Sequence, residues 1–309
     1  MKIAMMGSGG VGGFFGGRLA HAGYDVSFIA RGSHFAAMRE RGLTIENEPQ
    51  GDIRVPKVRV TDDPATLGPV DIVILSVKLW DTEAAAKQIR PLVGPDTGVL
   101  SLQNGVVKDD ILRRELGDPP VMGGVGYVAT HISRPGVIHQ TGTMQRIILG
   151  EYDGRKSERA TFLHEALVRA GVNAELAADV RRAIWEKFVF LVALSATTTA
   201  MRTTIGPIRE NPRTRAFLLQ IMREAVAVGR AHGVALPDDY AEGRLAFADG
   251  LPAGMTSSMH HDLERGNRLE VEWLSGGVVQ LGRTAGVPTP ANGAVCDILA
   301  LQAAGKTPK

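Results

Sequence analysis

The chain has 309 residues, 44% of them hydrophobic and 22% charged, and this length and composition allow two folded domains with a substantial buried core. Its 35 basic and 33 acidic residues give a formal charge of +2, so the overall charge does not call for nucleic acid or a membrane surface as a partner. The single cysteine, Cys296, excludes an intrachain disulfide framework and a zinc site of several cysteines, and together with an N-terminus unlike a signal peptide it favours a cytoplasmic protein without a metal ion.

Residues 1–31 have the pattern of a phosphate-binding strand, turn and helix. An apolar run over residues 2–6 is followed by glycines at the G-x-G-x-x-G spacing, and apolar residues then recur at helical spacing until Gly23. In this motif the first glycine permits a tight turn, the second lets the backbone approach a pyrophosphate, and the third lets the helix pack close to the strand. A second apolar run over residues 24–30 completes a βαβ unit. We therefore predict that a dinucleotide binds at Gly7, Ser8, Gly9, Gly10, Val11 and Gly12, and the alternative is a tight turn without a ligand.

The residue after the second strand indicates which dinucleotide binds. Sites for NAD place a carboxylate about 20 residues past the glycines to bind the ribose 2′-hydroxyl. Here the sequence is Ala30-Arg31-Gly32-Ser33-His34, which has no carboxylate. Arg31 offers a guanidinium suited to a 2′-phosphate, with Ser33 or His34 as helpers. We therefore predict NADPH/NADP+ as the cofactor, against the alternative of an ordinary exposed arginine at a strand end.

Polar residues also follow two later strands of the predicted sheet. Residues 71–77 are almost all apolar and mostly β-branched, which is typical of a central parallel strand, and this run ends at Lys78. A further strand over residues 98–102 is followed by Gln103 and Asn104. Ligands of open α/β sheets gather at the carboxyl ends of strands, so Lys78 and Asn104 are predicted to line the cofactor site. The alternatives are a solvated lysine and a simple Asn-Gly turn.

The sequence pattern changes near residue 179. Before it, the other predicted elements are helices over residues 33–41, 82–89 and 161–170 and strands over residues 43–45, 53–60, 121–125, 136–140, 146–149 and 172–174. After it, helices are predicted over residues 180–201, 213–232, 240–247, 257–285 and 291–303, with a break or bend expected at Gly266. The longest apolar run, residues 188–196, is too short to cross a bilayer. Periodicity thus predicts an α/β domain over residues 1–176 and an all-helical domain over residues 177–309.

One lysine, Lys187, lies in the middle of the apolar helix predicted over residues 180–201. Burying an ammonium is costly unless the group is paired or its pKa falls. A lysine with a lowered pKa is a good general acid, which can protonate a carbonyl oxygen as a hydride reaches the carbon. The alternative is a lysine whose ammonium reaches the surface past its apolar neighbours.

Two adjacent histidines, His260 and His261, are the remaining candidates for metal ligation. Neighbouring residues point to different sides of a helix, so a shared metal ion is not expected. We expect both side chains to be exposed.

Six segments of the chain share their order and spacing with one known family. They are the glycine turn at residues 7–12, Val77-Lys78, Gln103-Asn104-Gly105, Trp185-Glu186-Lys187, Ser257-Ser258-Met259 followed by Asp262, Gly266 and Glu270, and Gly286-Val287-Pro288-Thr289-Pro290. On these segments the chain resembles the ketopantoate reductase (2-dehydropantoate 2-reductase) family nearly from end to end.

The resemblance implies a fold, a reaction and a set of site residues. The implied fold is a Rossmann-like NADP-binding domain followed by an all-helical substrate and dimerisation domain, and a homodimer through the helical domain is compatible with it. The implied reaction is the NADPH-dependent reduction of a 2-oxo acid to a 2-hydroxy acid, namely ketopantoate to pantoate in pantothenate and coenzyme A biosynthesis. Lys187 matches the catalytic general acid, Glu270 the catalytic glutamate that orients lysine and substrate, and Ser258 the serine that holds the substrate. The substrate contacts implied in this way are Asn104, Lys187, Leu191, Ser195, Ser258 and Glu270.

Four positions depart from the family pattern. Leu191, Ser195, Ile205 and Met255 stand where the family usually has asparagines. A pocket that has lost amides has lost hydrogen bonds to substrate hydroxyls, and such bonds discriminate strongly between substrates. Three functions therefore stay open: a ketopantoate reductase with a repacked pocket, a paralogous NADPH-dependent reductase of a less polar 2-oxo acid or ketone, and a non-catalytic NADPH-binding regulator. The regulator is the least favoured of the three, since a pure binder has no need of the acid–base pair Lys187 and Glu270.

Overall fold

The computed structural model describes residues 1–46 and 51–306 of the chain. Its contacts divide the protein into two compact units. The sheet unit consists of Met1–Gln103 and Lys108–Ala183, and the helical unit consists of Asn104–Val107 and Ile184–Lys309. The prediction of an α/β half followed by a helical half is confirmed.

A ten-stranded sheet forms the centre of the sheet unit. In chain order its strands are β1 (Lys2–Met6), β2 (Asp25–Ile29), β3 (Leu43–Glu46), β4 (Ile53–Val55), β5 (Arg59–Thr61), β6 (Val70–Leu75), β7 (Val93–Ser101), β8 (Val121–Arg134), β9 (Val137–Gly150) and β10 (Asn173–Leu176). Strands β5, β2, β1, β6, β7 and β8 lie side by side in that order, and each neighbouring pair is parallel. This is the strand order of a doubly wound dinucleotide-binding fold, whose ligand binds where the order reverses, here between β1 and β6.

Five helices accompany the sheet, and their apolar residues share its core. They are α1 (Gly10–His21), α2 (Gly32–Arg41), α3 (Thr82–Ile89), α4 (Lys108–Leu116) and α5 (Glu158–Arg169). Strand β6 is buried on both faces, as its unbroken apolar sequence predicts, with Ile72, Val73, Ile74 and Leu75 all 0% exposed. Phe14 of α1 lies in the same apolar cluster as residues of β1, β2 and β6. This packing holds the first turn of α1 against the ends of β1 and β6.

Two long antiparallel strands, β8 and β9, replace three short strands of the sequence prediction. Strand β8 pairs with β9 through a turn at Pro135 and Gly136, and β3 and β10 pair in parallel with β9. Residues 129–135 and 141–144 are mostly exposed, so they carry no alternation of buried and exposed side chains. The ladder of backbone hydrogen bonds, and not burial, forms this part of the strands, which explains why periodicity missed it. The predicted strand over residues 53–60 is also wrong in part, because Pro56 separates β4 from β5.

Seven helices make up the second half of the described chain. They are α6 (Val180–Met201), α7 (Ile205–Glu210), α8 (Pro212–Ala231), α9 (Tyr240–Asp249), α10 (Ser258–Arg265), α11 (Ser275–Ala285) and α12 (Pro290–Leu299). The division between the two units falls inside α6, after Ala183. By length and composition alone, helix α6 could cross a membrane, which the shorter apolar run of residues 188–196 did not suggest. However, 67% of its most apolar stretch is buried inside the fold, as in a core helix.

The sequence prediction is wrong in part about one long helical segment, and it missed two short helices. The break or bend expected at Gly266 is present, because Gly266 takes the left-handed conformation (φ 70°) that ends α10, so the segment predicted over residues 257–285 is two helices, α10 and α11. The segment between them, residues 267–274, carries Glu270. Helix α4 was missed because its sequence is mostly charged, and the six-residue α7 because it contains Gly206 and Pro207.

Candidate active site

The three glycines of the predicted phosphate-binding turn occupy three different environments. Gly7 follows β1 with a φ of +92°, a conformation that favours glycine, and its carbonyl accepts a hydrogen bond from the Ser76 hydroxyl at 2.7 Å. A Cβ atom on Gly12 would lie 2.0 Å from the Gly7 carbonyl oxygen, so only glycine lets α1 pack this close to the turn. A Cβ atom on Gly9 would meet no atom within 4 Å. The open side of the turn is therefore at Gly9, beside the first amides of α1, which have no partner within the helix.

The other three residues of the turn pack against the sheet unit. The Ser8 hydroxyl donates a hydrogen bond to the Ile29 carbonyl at 3.0 Å, so it holds the turn against β2. Val11 is half-buried against the apolar cluster of the sheet unit. A Cβ atom on Gly10 would lie 2.6 Å from the Thr130 carbonyl oxygen on β8. The side chains of Ser8 and Val11 therefore face the protein, so the prediction of diphosphate binding at these three residues depends on their backbone amides.

His34 supports this turn from behind, and the prediction that it helps to bind a 2′-phosphate is wrong. The Gly136 amide donates to its Nδ1 at 3.1 Å, which leaves the proton on Nε2, and Nε2 donates to the Ser8 carbonyl at 2.9 Å. Both ring nitrogens are thus occupied in a side chain that is 9% exposed. Burial lowers the pKa of His34, which keeps this neutral form in place.

Arg31 lies at the end of β2, directly before α2. Its Nη2 donates a hydrogen bond to the Gln88 side-chain oxygen on α3 at 3.0 Å. Arg31 and Ser33 are both exposed, and Ser33 belongs to the first turn of α2. A guanidinium beside the amides of a helix N-terminus is a favourable arrangement for a phosphate group. Gln88 was not singled out in the sequence, and no motif marks it.

Lys78 follows β6 on the other side of the point where the strand order reverses. It is half-buried, and its ammonium lies 5.7 Å from the centre of the Trp80 ring. An ammonium near an aromatic face has lost part of its side-chain freedom. The structure thus places Lys78 at the carboxyl edge of the parallel strands, where the sequence predicted it.

Lys187 and Asn104 are brought together within the helical unit. The Lys187 ammonium donates a hydrogen bond to the Asn104 side-chain oxygen at 2.9 Å, although 83 residues separate them. Lys187 is half-buried, and the rings of its neighbours Trp185 and Phe188 pack edge to face at 5.7 Å, both nearly fully buried. An ammonium held in one direction by a side-chain oxygen is a positioned donor, as a general acid requires.

Leu191 and Ser195 follow Lys187 at four-residue intervals, so the three side chains share one face of α6. Leu191 is half-buried and Ser195 is 4% exposed. Two other departures from the family pattern are neighbours as well, because the Ile205 amide donates to the Met255 carbonyl at 2.9 Å. Ile205 is fully buried and Met255 half-buried.

The two serines at the start of α10 have separate functions. The Ser257 hydroxyl caps the helix by accepting from the His260 amide at 3.1 Å, and it also contacts the Thr198 hydroxyl of α6 at 3.0 Å. This leaves Ser258, the first residue of the helix, with an exposed side chain. The buried cap therefore fixes the position of Ser258 relative to α6.

The histidines of α10 differ from the prediction in one respect. His261 is exposed, as expected, but His260 is buried, and its Nδ1 donates to the Thr198 carbonyl at 2.7 Å. The expectation that both are exposed is therefore wrong for His260, because its ring joins α10 to α6. Within the described residues, no group of three or more histidine, cysteine or acidic side chains is arranged to hold a metal ion.

Glu270 is 6% exposed and lies between α10 and α11. Its backbone carbonyl accepts from the amides of Trp273 and Leu274 at 3.1 and 3.0 Å, which forms the turn that leads into α11. The pairing of its carboxylate with Lys187 stays a prediction.

The donors around the glycine turn fit a phosphorylated dinucleotide. The turn offers an unobstructed backbone at Gly9, helix amides and, one strand away, the Arg31 guanidinium. The helical unit adds a half-buried ammonium that can donate a proton. The sheet unit thus has groups suited to a dinucleotide, and the helical unit has a group suited to proton donation.

Comparisons with known proteins identify the family of the chain. The family profile described as ketopantoate reductase PanE/ApbA matches residues 3–154, and the profile of its C-terminal part matches residues 179–303. A 2-dehydropantoate 2-reductase of Mesorhizobium japonicum is 33% identical over 96% of this chain and 95% of its own length, and one of Archaeoglobus fulgidus is 32% identical over 94% of each chain. The crystal structure of a PanE/ApbA family ketopantoate reductase from Ralstonia eutropha is 35% identical, covers 98% of both chains and superposes with a TM-score of 0.88. The chain belongs to the ketopantoate reductase (PanE/ApbA) family of oxidoreductases.

Proposed function

We propose that this protein reduces a 2-oxo acid to the 2-hydroxy acid with NADPH, and that its substrate is 2-dehydropantoate (ketopantoate). The observation that carries the proposal is the 2.9 Å hydrogen bond between the Lys187 ammonium and the Asn104 side chain, set in an apolar helix. The names of the full-length relatives point to the same reaction. The product, pantoate, places the reaction in pantothenate and coenzyme A biosynthesis.

Each site residue then has a defined task. NADPH, when bound, supplies a hydride to the keto carbon. Lys187 donates a proton to the keto oxygen, so that hydride and proton together add two hydrogens across the C=O bond. Asn104 holds the ammonium through its side-chain oxygen and limits the directions in which Lys187 can donate. Ser258 contributes a neutral hydroxyl to substrate binding, and Glu270 orients the lysine and the substrate.

The groups around the glycine turn favour NADPH over NADH in this proposal. The family as a whole uses NAD(P)H. The position that carries a carboxylate in NAD sites carries Arg31, which is exposed at the start of α2 and held by Gln88. A guanidinium held in this way binds a 2′-phosphate with a charge-assisted hydrogen bond and gains nothing from a 2′-hydroxyl. Lys78 adds a second positive charge at the same edge of the sheet.

The first experiment follows NADPH absorbance with purified protein and ketopantoate. Oxidation that disappears in Lys187→Ala, while NADPH binding is kept, supports the proposed reaction. A protein that binds NADPH but does not oxidise it in the presence of any tested 2-oxo acid or ketone would instead be a non-catalytic regulator. Lys187→Ala would then change nothing measurable.

A second candidate function, reduction of a less polar 2-oxo acid or ketone, is favoured by the face of α6 that carries Lys187. The family's asparagines would hydrogen-bond substrate hydroxyls there, but Leu191 cannot do so and Ser195 is buried. Ketopantoate, pyruvate, 2-oxoisovalerate and a bulkier apolar 2-oxo acid are therefore compared side by side. A kcat/KM that rises with the apolar bulk of the side chain and is low for ketopantoate would select this second function. Leu191→Asn and Met255→Asn should then shift the preference back towards ketopantoate.

A further inference from the structure

A buried lysine, Lys108, lies four residues after Asn104 and has no part in the proposed reaction. Its side chain is 1% exposed, and Asp109, the next residue, is 2% exposed. Both belong to the first turn of α4, where a lysine is normally solvated. A charge buried to this degree requires partners in a fixed geometry, so its surroundings indicate what it holds.

The Lys108 ammonium joins three parts of the sheet unit. It donates to the Ser101 carbonyl at 2.9 Å, to the Gly124 carbonyl at 3.1 Å, and to the two Asp109 carboxylate oxygens at 3.1 and 3.0 Å. Ser101 is the last residue of β7, and Gly124 lies on β8. One side chain thus fixes the end of β7 to its neighbour strand and to the start of α4.

Asp109 is held in turn by Tyr152. The tyrosine hydroxyl donates to the carboxylate at 2.6 Å, and the Arg113 guanidinium lies 3.9 Å from the centre of the tyrosine ring. Burial and the neighbouring carboxylate raise the pKa of Tyr152, so the hydroxyl keeps its proton and stays a donor. The Asp109 carboxylate, which pairs with Lys108, is therefore itself held in place by a hydrogen bond.

The residues fixed in this way are the two ends of a short segment. Ser101 precedes it and Lys108 closes it, and a single hydrogen bond from one to the other spans the segment of residues 102–107. Gln103 is fixed as well, since its side chain accepts from the Ser101 hydroxyl at 3.0 Å and donates to the Thr82 hydroxyl at 2.7 Å. Asn104 is the next residue. Its position is restricted because Gln103 before it and Lys108 at the end of the segment are both held.

We propose that Lys108 is a positioning residue for Asn104: by holding both ends of the segment, its ammonium sets where the Asn104 amide oxygen meets the proton donor Lys187. The inference rests on the proposed function in that Lys187 is taken as the proton donor. A buried ion pair adds little stability compared with apolar residues of equal volume, so a gain in geometry is a better explanation for a lysine here than a gain in stability.

A matched control exists in the same unit. Arg159, which is half-buried, forms an ion pair with the buried Glu151 and donates to the carbonyls of Thr97 and Pro119 at 3.0 and 2.9 Å. Thr97 lies nearer the start of β7 and Pro119 just before β8, so this pair joins the same two strands away from the Asn104 segment. Arg159→Met thus destabilises the same unit without releasing residues 102–107.

The first measurement does not depend on activity. Hydrogen exchange is followed in peptides that cover residues 102–107 of the wild type, Lys108→Met and Arg159→Met. We expect faster exchange in Lys108→Met alone. Equal exchange in the wild type and Lys108→Met would overturn the proposal, whether or not the protein reduces 2-oxo acids.

The second measurement is a double-mutant cycle on kcat/KM with Lys108→Met, Asn104→Ala and the double variant. We expect Lys108→Met to lower kcat/KM about 10- to 100-fold, and the double variant to be no worse than Asn104→Ala alone, because Lys108 acts through Asn104. If the losses of kcat/KM caused by Lys108→Met and Asn104→Ala multiply in the double variant, the proposal is overturned. The losses caused by Arg159→Met and Asn104→Ala are expected to multiply, because Arg159 does not act through Asn104. A wild type that turns over no 2-oxo acid would refute the proposed function, and the exchange data would still decide the role of Lys108. If Lys108→Met does not fold, Tyr152→Phe, which removes one hydrogen bond from Asp109, is used for both measurements.

Discussion

The ammonium of Lys187 and the amide oxygen of Asn104 form a hydrogen bond of 2.9 Å across 83 residues of sequence. Asn104 follows a strand of the sheet and Lys187 lies in a helix, yet both belong to the helical unit by their contacts. The amide oxygen limits the directions in which the ammonium can donate. In the proposed reaction this hydrogen bond orients Lys187 as the proton donor.

Replacing Lys187 should abolish turnover and spare cofactor binding. We expect Lys187→Ala to lower kcat about 10²- to 10⁴-fold, the usual contribution of a positioned proton donor. Asn104→Ala should cost less, about 10- to 100-fold, since it removes one hydrogen bond to a charged group. Steady-state kinetics and an NADPH titration by fluorescence measure both effects. The control is Lys156→Ala, which removes an exposed lysine of the sheet unit. Equal NADPH turnover in Lys187→Ala and the control would show that Lys187 is not the proton donor.

Removing Arg31 should change the choice of cofactor. Arg31→Ala is expected to weaken NADPH binding about 10- to 100-fold, the range of one charge-assisted hydrogen bond, and to leave NADH binding unchanged. Gln88→Ala, which removes the side chain that holds Arg31, should give a smaller loss in the same direction. The ratio of the two dissociation constants is the measurement. Arg39→Ala, an exposed arginine further along α2, serves as the control, and a ratio that Arg31→Ala does not change would argue against a 2′-phosphate contact.

Substitution by alanine should lower the stability of the protein at Gly12 but weaken NADPH binding at Gly9. Gly12→Ala would place a Cβ atom 2.0 Å from a backbone oxygen. We expect this overpacking to lower the free energy of unfolding by about 1–3 kcal/mol or more, and therefore to lower the Tm markedly. Gly9→Ala meets open space, so its Tm should equal that of the wild type. Its methyl group nevertheless occupies the place where a pyrophosphate approaches the backbone, and NADPH binding should weaken. Thermal melts with and without NADPH compare the two, and a Gly9→Ala protein that binds NADPH normally would place the diphosphate elsewhere.

The elements that the sequence predicted well are those in which burial and periodicity coincide. Helix α6 was predicted with both ends correct, and strands β1 and β6 were found because their side chains are buried on both faces. The glycine turn was recognisable because a tight turn and close helix packing require glycine at fixed positions.

The features that the sequence did not reveal depend on contacts between distant residues. Nothing near His34 indicates that its ring connects Ser8 with Gly136, which is 102 residues away. Lys108 looks like a surface lysine at the start of a charged helix, and only the carbonyls of Ser101 and Gly124 explain its burial. The roles of Ser258 and Glu270 came from the family pattern, and they stay predictions until variants are measured.

The ring of His34 should make the glycine turn sensitive to acid. Because burial lowers its pKa in the folded protein, the unfolded chain takes up a proton first as the pH falls below about 6.5. The unfolded state then binds more protons than the folded state, so the free energy of unfolding falls as the pH decreases towards the lowered pKa. Protonation of Nδ1 also removes the acceptor for the Gly136 amide.

His34→Gln should remove this part of the pH dependence. We expect the difference in Tm between wild type and His34→Gln to shrink as the pH is lowered from 8 to 5, and NADPH binding by the wild type to weaken over the same range. His261→Gln, which replaces an exposed histidine, controls for the general effect of losing one titrating group. A constant difference in Tm at all pH values would mean that His34 keeps the same charge in both states.

Glu224 should be a determinant of the stability of the helical unit. Its carboxylate, 3% exposed on α8, accepts from the amides of Ala291 and Asn292 at 2.8 and 2.9 Å and from the Asn292 side chain at 2.8 Å. These amides belong to the first turn of α12, which its own preceding residue, Thr289, does not cap with its side chain. Glu224 therefore acts as a cap supplied by another helix, and its negative charge also suits the positive end of α12.

Glu224→Gln keeps the size of the side chain but turns one acceptor oxygen into a donor facing other donors. We expect the free energy of unfolding to fall by about 2 kcal/mol or more, since buried amides lose their partner. The Tm should decrease by several degrees, while kcat and KM of the remaining folded protein stay unchanged. Glu210→Gln, at an exposed position on α7, is the matched control and should have no effect. Urea unfolding followed by circular dichroism gives both values, and equal midpoints for the two variants would show that α12 does not need this cap.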